Sequence, residues 1–238
     1  MLKIILFSIC LLVPVKLLPG MASAVTAASV YEEVAEELRC ATLYSAMHLE
    51  GVVNWQAFKL AVQGYHAITE RRREVLTLID FSLPSAEERM FVFDMKHQQL
   101  LFSSLVAHGK NSGEMYATSF SNVVGSYKSS LGFYLTADTY QGRNGYSLIL
   151  DGLEQGVNDC ARERAIVVHG ASYANPSVVR HGGRLGRSFG CPAVPSDLSK
   201  PIINAIKGGS VLFIYADNAE YLSKSSLLHP YTGGMQER

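Results

Sequence analysis

The spacing of apolar positions changes once along the chain. From Ser29 to about His48 they recur every three or four residues. Tyr31, Val34, Leu38 and Ala41 form a narrow stripe, and Ser29-Val30-Tyr31-Glu32 has the form of a capping box, so a helix is predicted there. Gly51 breaks it, and Asn54 caps a second predicted helix whose Phe58, Val62 and Tyr65 fall on one side. From Glu74 onward, short apolar and β-branched runs alternate with Gly, Ser and Asn turns. Strands are predicted at Val75–Phe81, Met90–Met95, Leu100–Val106, Leu131–Thr136, Ser147–Leu150, Ala165–Val168 and Val211–Tyr215. Lys96-His97-Gln98-Gln99 closes a hairpin between the second and third, and Asn144-Gly145 and Gly156-Val157-Asn158-Asp159 read as turns. A short helix over Lys200–Ile206 ends at Gly208-Gly209. The pattern predicts a mainly β fold, a sandwich or open barrel, carrying a small two-helix N-terminal appendage.

The first residues follow a different pattern. Lys3 precedes an apolar run from Ile4 to Val15, and Ala22-Ser23-Ala24 is a small-x-small cleavage site, the form of a secretory signal peptide. Pro14, Lys16 and Pro19 interrupt the run, leaving it too short to span a bilayer comfortably. Phe7-Ser8-Ile9 before Cys10 is a poor lipobox. The expected organisation is a signal peptide over 1–24, a helical segment over 25–73, a main domain over 74–228 and a tail over 229–238. The protein is expected to be exported, with no stable membrane insertion after the signal is removed. Arg71-Arg72-Arg73 reads as a solvated linker, with contact to an anionic polymer as the alternative. Twenty-one basic residues balance 21 acidic ones, which argues against nucleic acid as a partner. Without Cys10 three cysteines remain, an odd number for an oxidising compartment. Cys40 and Cys160 either pair or act as small buried hydrophobes. The third thiol needs another reason to be there.

Cys191 lies in Ser188-Phe189-Gly190-Cys191, 22 residues after His169. The apolar run Ala165–Val168 places His169 at a strand end, facing the loop that follows, and Gly190 lets a substrate carbonyl approach the backbone. An imidazole beside a thiol is the arrangement of a cysteine nucleophile with its base. HGA (169–171) and SFGC (188–191) resemble the L,D-transpeptidase catalytic domain, a cysteine-dependent peptidoglycan cross-linking family. VAHGKNSG, SFSN, SSLGFY, GLEQGVND and GRSFGCPAVP follow the murein subgroup in order. The resemblance covers about Leu76 to Tyr215.

The resemblance implies an envelope enzyme that needs no cofactor and no metal and acts on peptidoglycan stem peptides. Cys191 attacks a tetrapeptide stem, D-alanine leaves, and a second stem's amine takes the acyl group, giving a 3→3 cross-link. His169 is the implied base, oriented by the Gly170 carbonyl. Backbone N–H groups of Phe189, Gly190 and Cys191 are expected to form the oxyanion hole. Arg184 and Arg187 are candidates for gripping stem carboxylates, with a loop-bracing salt bridge as the alternative. Ser188, Tyr173 and His108 are candidate cleft residues, Ser188 also as a turn brace, and Asn111 and Asn175 are further wall residues. The commonest family motif has histidine where Phe189 stands, which points to altered substrate recognition. His181 is a solvent-facing histidine or its substitute. A zinc site from His108, His169 and Cys191 lacks a recognised ligand spacing. The rival functions are an L,D-carboxypeptidase or amidase on the same bonds and a silent peptidoglycan-binding module. An activated Cys191, on a surface loop, is expected to alkylate below the pH range of an ordinary thiol.

Overall fold

The computed structural model describes residues 27–229. The expected signal peptide and the tail beyond His229 lie outside the described residues. The chain divides into two units between Leu38 and Arg39. Helix α1 (Ala27–Ala46) opens two residues before Ser29, so Ser29 lies inside the helix and does not cap it. The expected stripe is also corrected, because Tyr31, Val34 and Leu38 are exposed. In the second unit the end of α1 uses another helical row. Cys40 is buried, with Leu43 and Tyr44 packed against the core, and Met47 is buried just past the helix end. Both rows have helical spacing, so periodicity alone could not choose between them.

Helix α2 (Trp55–Ala67) begins as expected: Asn54 Oδ1 accepts the Ala57 N–H at 3.0 Å. Phe58, Val62 and Tyr65 are buried, and Phe58 meets Phe93 edge-on at 5.3 Å. Gly64 is required by contact: a Cβ there would stand 2.0 Å from the Phe133 ring. The helix gives up about 1 kcal/mol of propensity to pack this closely.

The strands are β1 (Val75–Asp80), β2 (Met90–Asp94), β3 (Gln99–Ser104), β4 (Gly132–Gly142), β5 (Gly145–Gly152), β6 (Val167–Gly170), β7 (Ala193–Val194) and β8 (Val211–Tyr215). They form one sheet in the order β3-β2-β1-β8-β4-β5-β6-β7. Pairs β1–β8 and β6–β7 are parallel and the rest antiparallel. Beyond β3 the Ala107 N–H donates to the Ala193 carbonyl at 2.8 Å, bringing the two sheet edges together. The result is a nearly closed barrel. Strands β1 and β8 are buried along their length, against α2, and Phe133 stacks on Phe213 at 4.0 Å in the core. Helix α4 (Ser196–Ile206) buries Ile202, Ile203 and Ile206 and packs on β6.

All seven predicted strands are present. One boundary matters for the site: β6 starts at Val167, not Ala165, because Ala165 has φ +53°, a left-handed turn out of the preceding segment. His169 therefore sits inside the strand. Helices α3 (Pro176–Gly182) and α5 (Ala219–Lys224) were not expected. No described helix is long and apolar enough to cross a membrane. Cys160 and Cys191 are free thiols, so Cys40 and Cys160 do not pair with each other.

Candidate active site

The parallel pairing of β6 with β7 sets His169 opposite Ala193 and Gly170 opposite Val194. Cys191 lies two residues before that partner, so the histidine strand runs alongside the cysteine loop. His169 Nδ1 is 3.0 Å from the carbonyl of Gly170, to which it donates, leaving the acceptor lone pair on Nε2. Nε2 has no hydrogen-bond partner among the described residues.

The cysteine loop is held from both sides. Ser188 N–H donates to the His108 carbonyl at 2.9 Å, and Lys110 N–H donates to the Ser188 carbonyl at 2.8 Å. Within the loop, Ser188 Oγ donates to the Cys191 carbonyl at 2.6 Å and accepts the Gly190 N–H at 3.0 Å. Ser188 is thus a turn brace, and the Gly190 amide is already committed. The Phe189 amide has no acceptor among the described residues, and the Cys191 amide bonds back to its own thiol. Gly190 adopts φ +126°, and a Cβ there would meet the Lys128 carbonyl at 2.9 Å and Ile166 at 3.0 Å. Ser129 Oγ donates to the Gly190 carbonyl at 3.1 Å and accepts the Gly109 N–H at 3.0 Å.

Arg164 is a site residue that sequence reasoning missed. Its guanidinium donates to the carbonyls of Ser121 at 2.7 Å and Lys128 at 2.5 Å, and to the hydroxyls of Ser126 and Ser130. One half-buried side chain so ties segment 121–130 to the start of the histidine strand. Its charge also acts on Cys191. The signal was in the sequence, an arginine directly ahead of the apolar run Ala165–Val168. It reads there as an ordinary strand-flanking cation.

The thiol and the imidazole are both uncharged at rest. Cys191 is 9% exposed, so the expected surface-loop thiol is corrected to a buried one. Burial pushes its pKa up, against the pull of the Val167 N–H and of Arg164. Burial likewise pulls His169 down, opposed by its bond to Gly170. The thiol's hydrogen bond is to the Ala165 carbonyl at 3.6 Å, not to the imidazole. The alkylation expectation therefore reverses. In the free protein, iodoacetamide modification of Cys191, followed by peptide mapping, should rise only above the ordinary thiol range of roughly 8.5. An inflection below that of glutathione in the same assay would contradict this electrostatic picture.

His108 stands behind the loop. Its Nδ1 accepts from Arg89 Nη2 at 2.9 Å, and its Nε2 lies 3.3 Å from the Gly113 carbonyl. Both nitrogens are occupied, which removes it from the zinc alternative and from the open cleft. Arg89 is fully buried and donates to the Val106 and Leu83 carbonyls, with its guanidinium 4.8 Å over the Phe81 ring. Burial, then the Arg89 charge, depress His108 to about 4 from 6.5. The unfolded chain binds this proton more tightly, so stability is complete above about pH 6.5. It falls by about 3 kcal/mol as the pH drops through the window to about 4. Urea midpoints should decline over that range, and His108→Asn should flatten the decline. An equal slope in the variant would remove His108 as its source.

The arginines take the bracing alternative in this structure. Arg184 Nη2 and Arg187 Nη1 bind the two oxygens of Glu114 at 2.8 and 2.6 Å, and Arg187 also donates to the Lys110 and Gly113 carbonyls. Tyr173 lies in a 3₁₀ turn (Ser172–Ala174), packed where Gly186 leaves room. Burial and then the Cys191 charge raise its hydroxyl to about 12. Asn175 accepts the Ser196 N–H at 2.9 Å, anchoring α4, and Asn111 donates to the Ser126 carbonyl. His181 is exposed on α3 and bonded to Ser177. Phe189 is 66% exposed at the rim.

Among solved structures the chain is similar to an L,D-transpeptidase from Mycobacterium smegmatis, at 15% identity and TM-score 0.37, covering 60% of this chain and 59% of that one. It is also similar to L,D-transpeptidase 1 of Mycobacterium tuberculosis, at 14% identity and TM-score 0.33, covering 60% and 61%. A third is the helical cell shape determining protein Pgp2 from Campylobacter jejuni, at 10% identity and TM-score 0.41, covering 67% and 56%. The chain spans less than two thirds of the length of each. A search of curated proteins gives no match. The family model described as the L,D-transpeptidase catalytic domain matches residues 49–215, well over half the sequence. The chain belongs to the L,D-transpeptidase catalytic domain family.

Proposed function

We propose that the chain is an exported peptidoglycan L,D-transpeptidase of the bacterial envelope, forming 3→3 cross-links through a thioester on Cys191. The observation that carries this is the β6–β7 pairing, with the His169 strand beside the cysteine loop and Nδ1 committed to Gly170. Cys191 Sγ bonds to the carbonyl carbon of the stem's diamino acid while its proton passes to His169 Nε2. The C–N bond to D-alanine then breaks, and His169 returns that proton to the leaving amine. The amine of a second stem attacks the thioester, gives a proton through His169 to the departing sulfur, and restores the thiol. Because thiol and imidazole are both neutral at rest, the proton moves as the sulfur attacks, not before. The Cys191 and Phe189 amides stabilise the oxyanion, without the Gly190 amide that Ser188 holds. Arg184, Arg187 and Ser188 hold the loop, and Tyr173 lines the cleft. These groups supply every step, so no cofactor is invoked.

A specific observation favours the silent binding module as the second reading: the thiol's hydrogen bond goes to the Ala165 carbonyl and not to the imidazole. Incubation with purified disaccharide-tetrapeptides separates the readings. The transpeptidase releases D-alanine and yields a 3→3 dimer. Release without dimer makes it an L,D-carboxypeptidase, and stems recovered intact make it a binding module.

A further inference from the structure

Beside the cysteine loop stands a cation that the chemistry above leaves unused. Lys110 Nζ lies 4.5 Å from the Tyr127 ring centroid and 4.8 Å from that of Phe189. The two rings are 4.8 Å apart and tilted by 46°. Both are open to solvent, Phe189 at 66% and Tyr127 at 42%. Such exposure is unusual for two packed aromatics, which ordinarily contribute most when buried. Backbone bonds fix two of the three residues: Lys110 N–H donates to the Ser188 carbonyl, and Asn111 N–H to the Tyr127 carbonyl at 3.2 Å. Tyr127 holds φ +54°, a strained conformation for a bulky residue, and such strain clusters at ligand sites.

The electrostatics of the rim are lopsided. Arg184 and Arg187 share one carboxylate, that of Glu114, which offsets one of their two charges. Lys110 Nζ has neither a hydrogen bond nor an ion pair among the described residues. Two ring faces attract an ammonium but leave its charge and its N–H donors available. The site is therefore an open cation set between apolar surfaces, one of them two residues from the proposed nucleophile. The ligand that matches it is a carboxylate on a short apolar residue.

We propose that Lys110, Tyr127 and Phe189 form a carboxylate-binding subsite for the peptide substrate. The ammonium takes the carboxylate, and the rings take the apolar side of the residue that bears it. That the peptide is a peptidoglycan stem rests on the function proposed above. Two stem carboxylates have this chemistry: the terminal one of the donor tetrapeptide and that of an acceptor ending in the diamino acid.

The test is titration calorimetry on the full chain carrying Cys191→Ala, so that binding is not followed by turnover. The probes are disaccharide-tetrapeptide and disaccharide-tripeptide, each with a free or an amidated C-terminus. The free acid of at least one stem should bind about tenfold more tightly than its amide. Lys110→Met, which keeps the apolar stem against the rings, should erase that difference, and Lys110→Arg should restore most of it. A preference confined to the tetrapeptide assigns the donor carboxylate, and one confined to the tripeptide assigns the acceptor. Equal binding of acid and amide, a preference that survives Lys110→Met, or no binding of either stem overturns the subsite. Thioester formation on the unsubstituted chain is read separately by mass. Thioester without carboxylate preference sinks only the subsite, and preference without thioester sinks only the transpeptidase.

Discussion

Cys191→Ala should abolish D-alanine release from tetrapeptide stems, leaving no thioester to detect. The sulfur is the only group in the proposed sequence that bonds to substrate, so no neighbouring side chain can share its work. The fold should survive at a modest loss. Cys191 is buried and packs with the main core, and removing one sulfur from such a position costs about 1 kcal/mol. The loop itself is held by Ser188, Ser129 and the Gly190 backbone, none of which the substitution touches. Urea unfolding should therefore show a small shift in midpoint with an unchanged slope. Normal turnover by the variant would end the covalent mechanism.

His169→Gln should lower the rate of acylation by about a thousandfold, within the usual range for losing a general base. Glutamine can still donate to the Gly170 carbonyl, so the change removes proton transfer more than it removes structure. The pH profiles should part as well. His169 must be neutral to accept the thiol proton, and burial lowers its pKa. The wild-type acid limb should therefore fall below 6.5, with a plateau through neutrality. Without the imidazole the reaction needs preformed thiolate, and the Cys191 pKa is raised. The variant should accordingly gain rate steadily toward alkaline pH. Stopped-flow or quench sampling of thioester formation from pH 5 to 9.5 (about the span the two limbs require) would record both. An unchanged rate at neutrality would remove His169 from its role.

The strands were legible because each is a run of apolar residues closed by turn formers, a signal that survives without tertiary information. β7 was not, since two residues carry no period. The slip at β6 has a local cause: Ala165 to Val168 are all apolar, but the left-handed turn at Ala165 aims its carbonyl at the thiol. His169 and Cys191 were legible as a motif, yet their electrostatic state was not, because burial of the thiol comes from elements distant in sequence. Charged residues that work inside the protein were the hardest to find. Arg89 is fully buried, and Glu154 is buried to accept the Phe133 N–H and the Tyr221 hydroxyl, although both types are ordinarily exposed. Arg184 and Arg187 were visible as cations near the nucleophile. Their shared partner Glu114, 73 residues from Arg187, was not.

The most direct test of the central claim is intact-protein mass spectrometry of the wild-type chain during incubation with disaccharide-tetrapeptide, with the adduct mapped by proteolysis. The thioester mechanism predicts a mass gain equal to the stem less D-alanine, carried by the peptide that contains Cys191 and lost on adding an amine acceptor. An unmodified Cys191 while D-alanine accumulates, or an adduct on another residue, would contradict it.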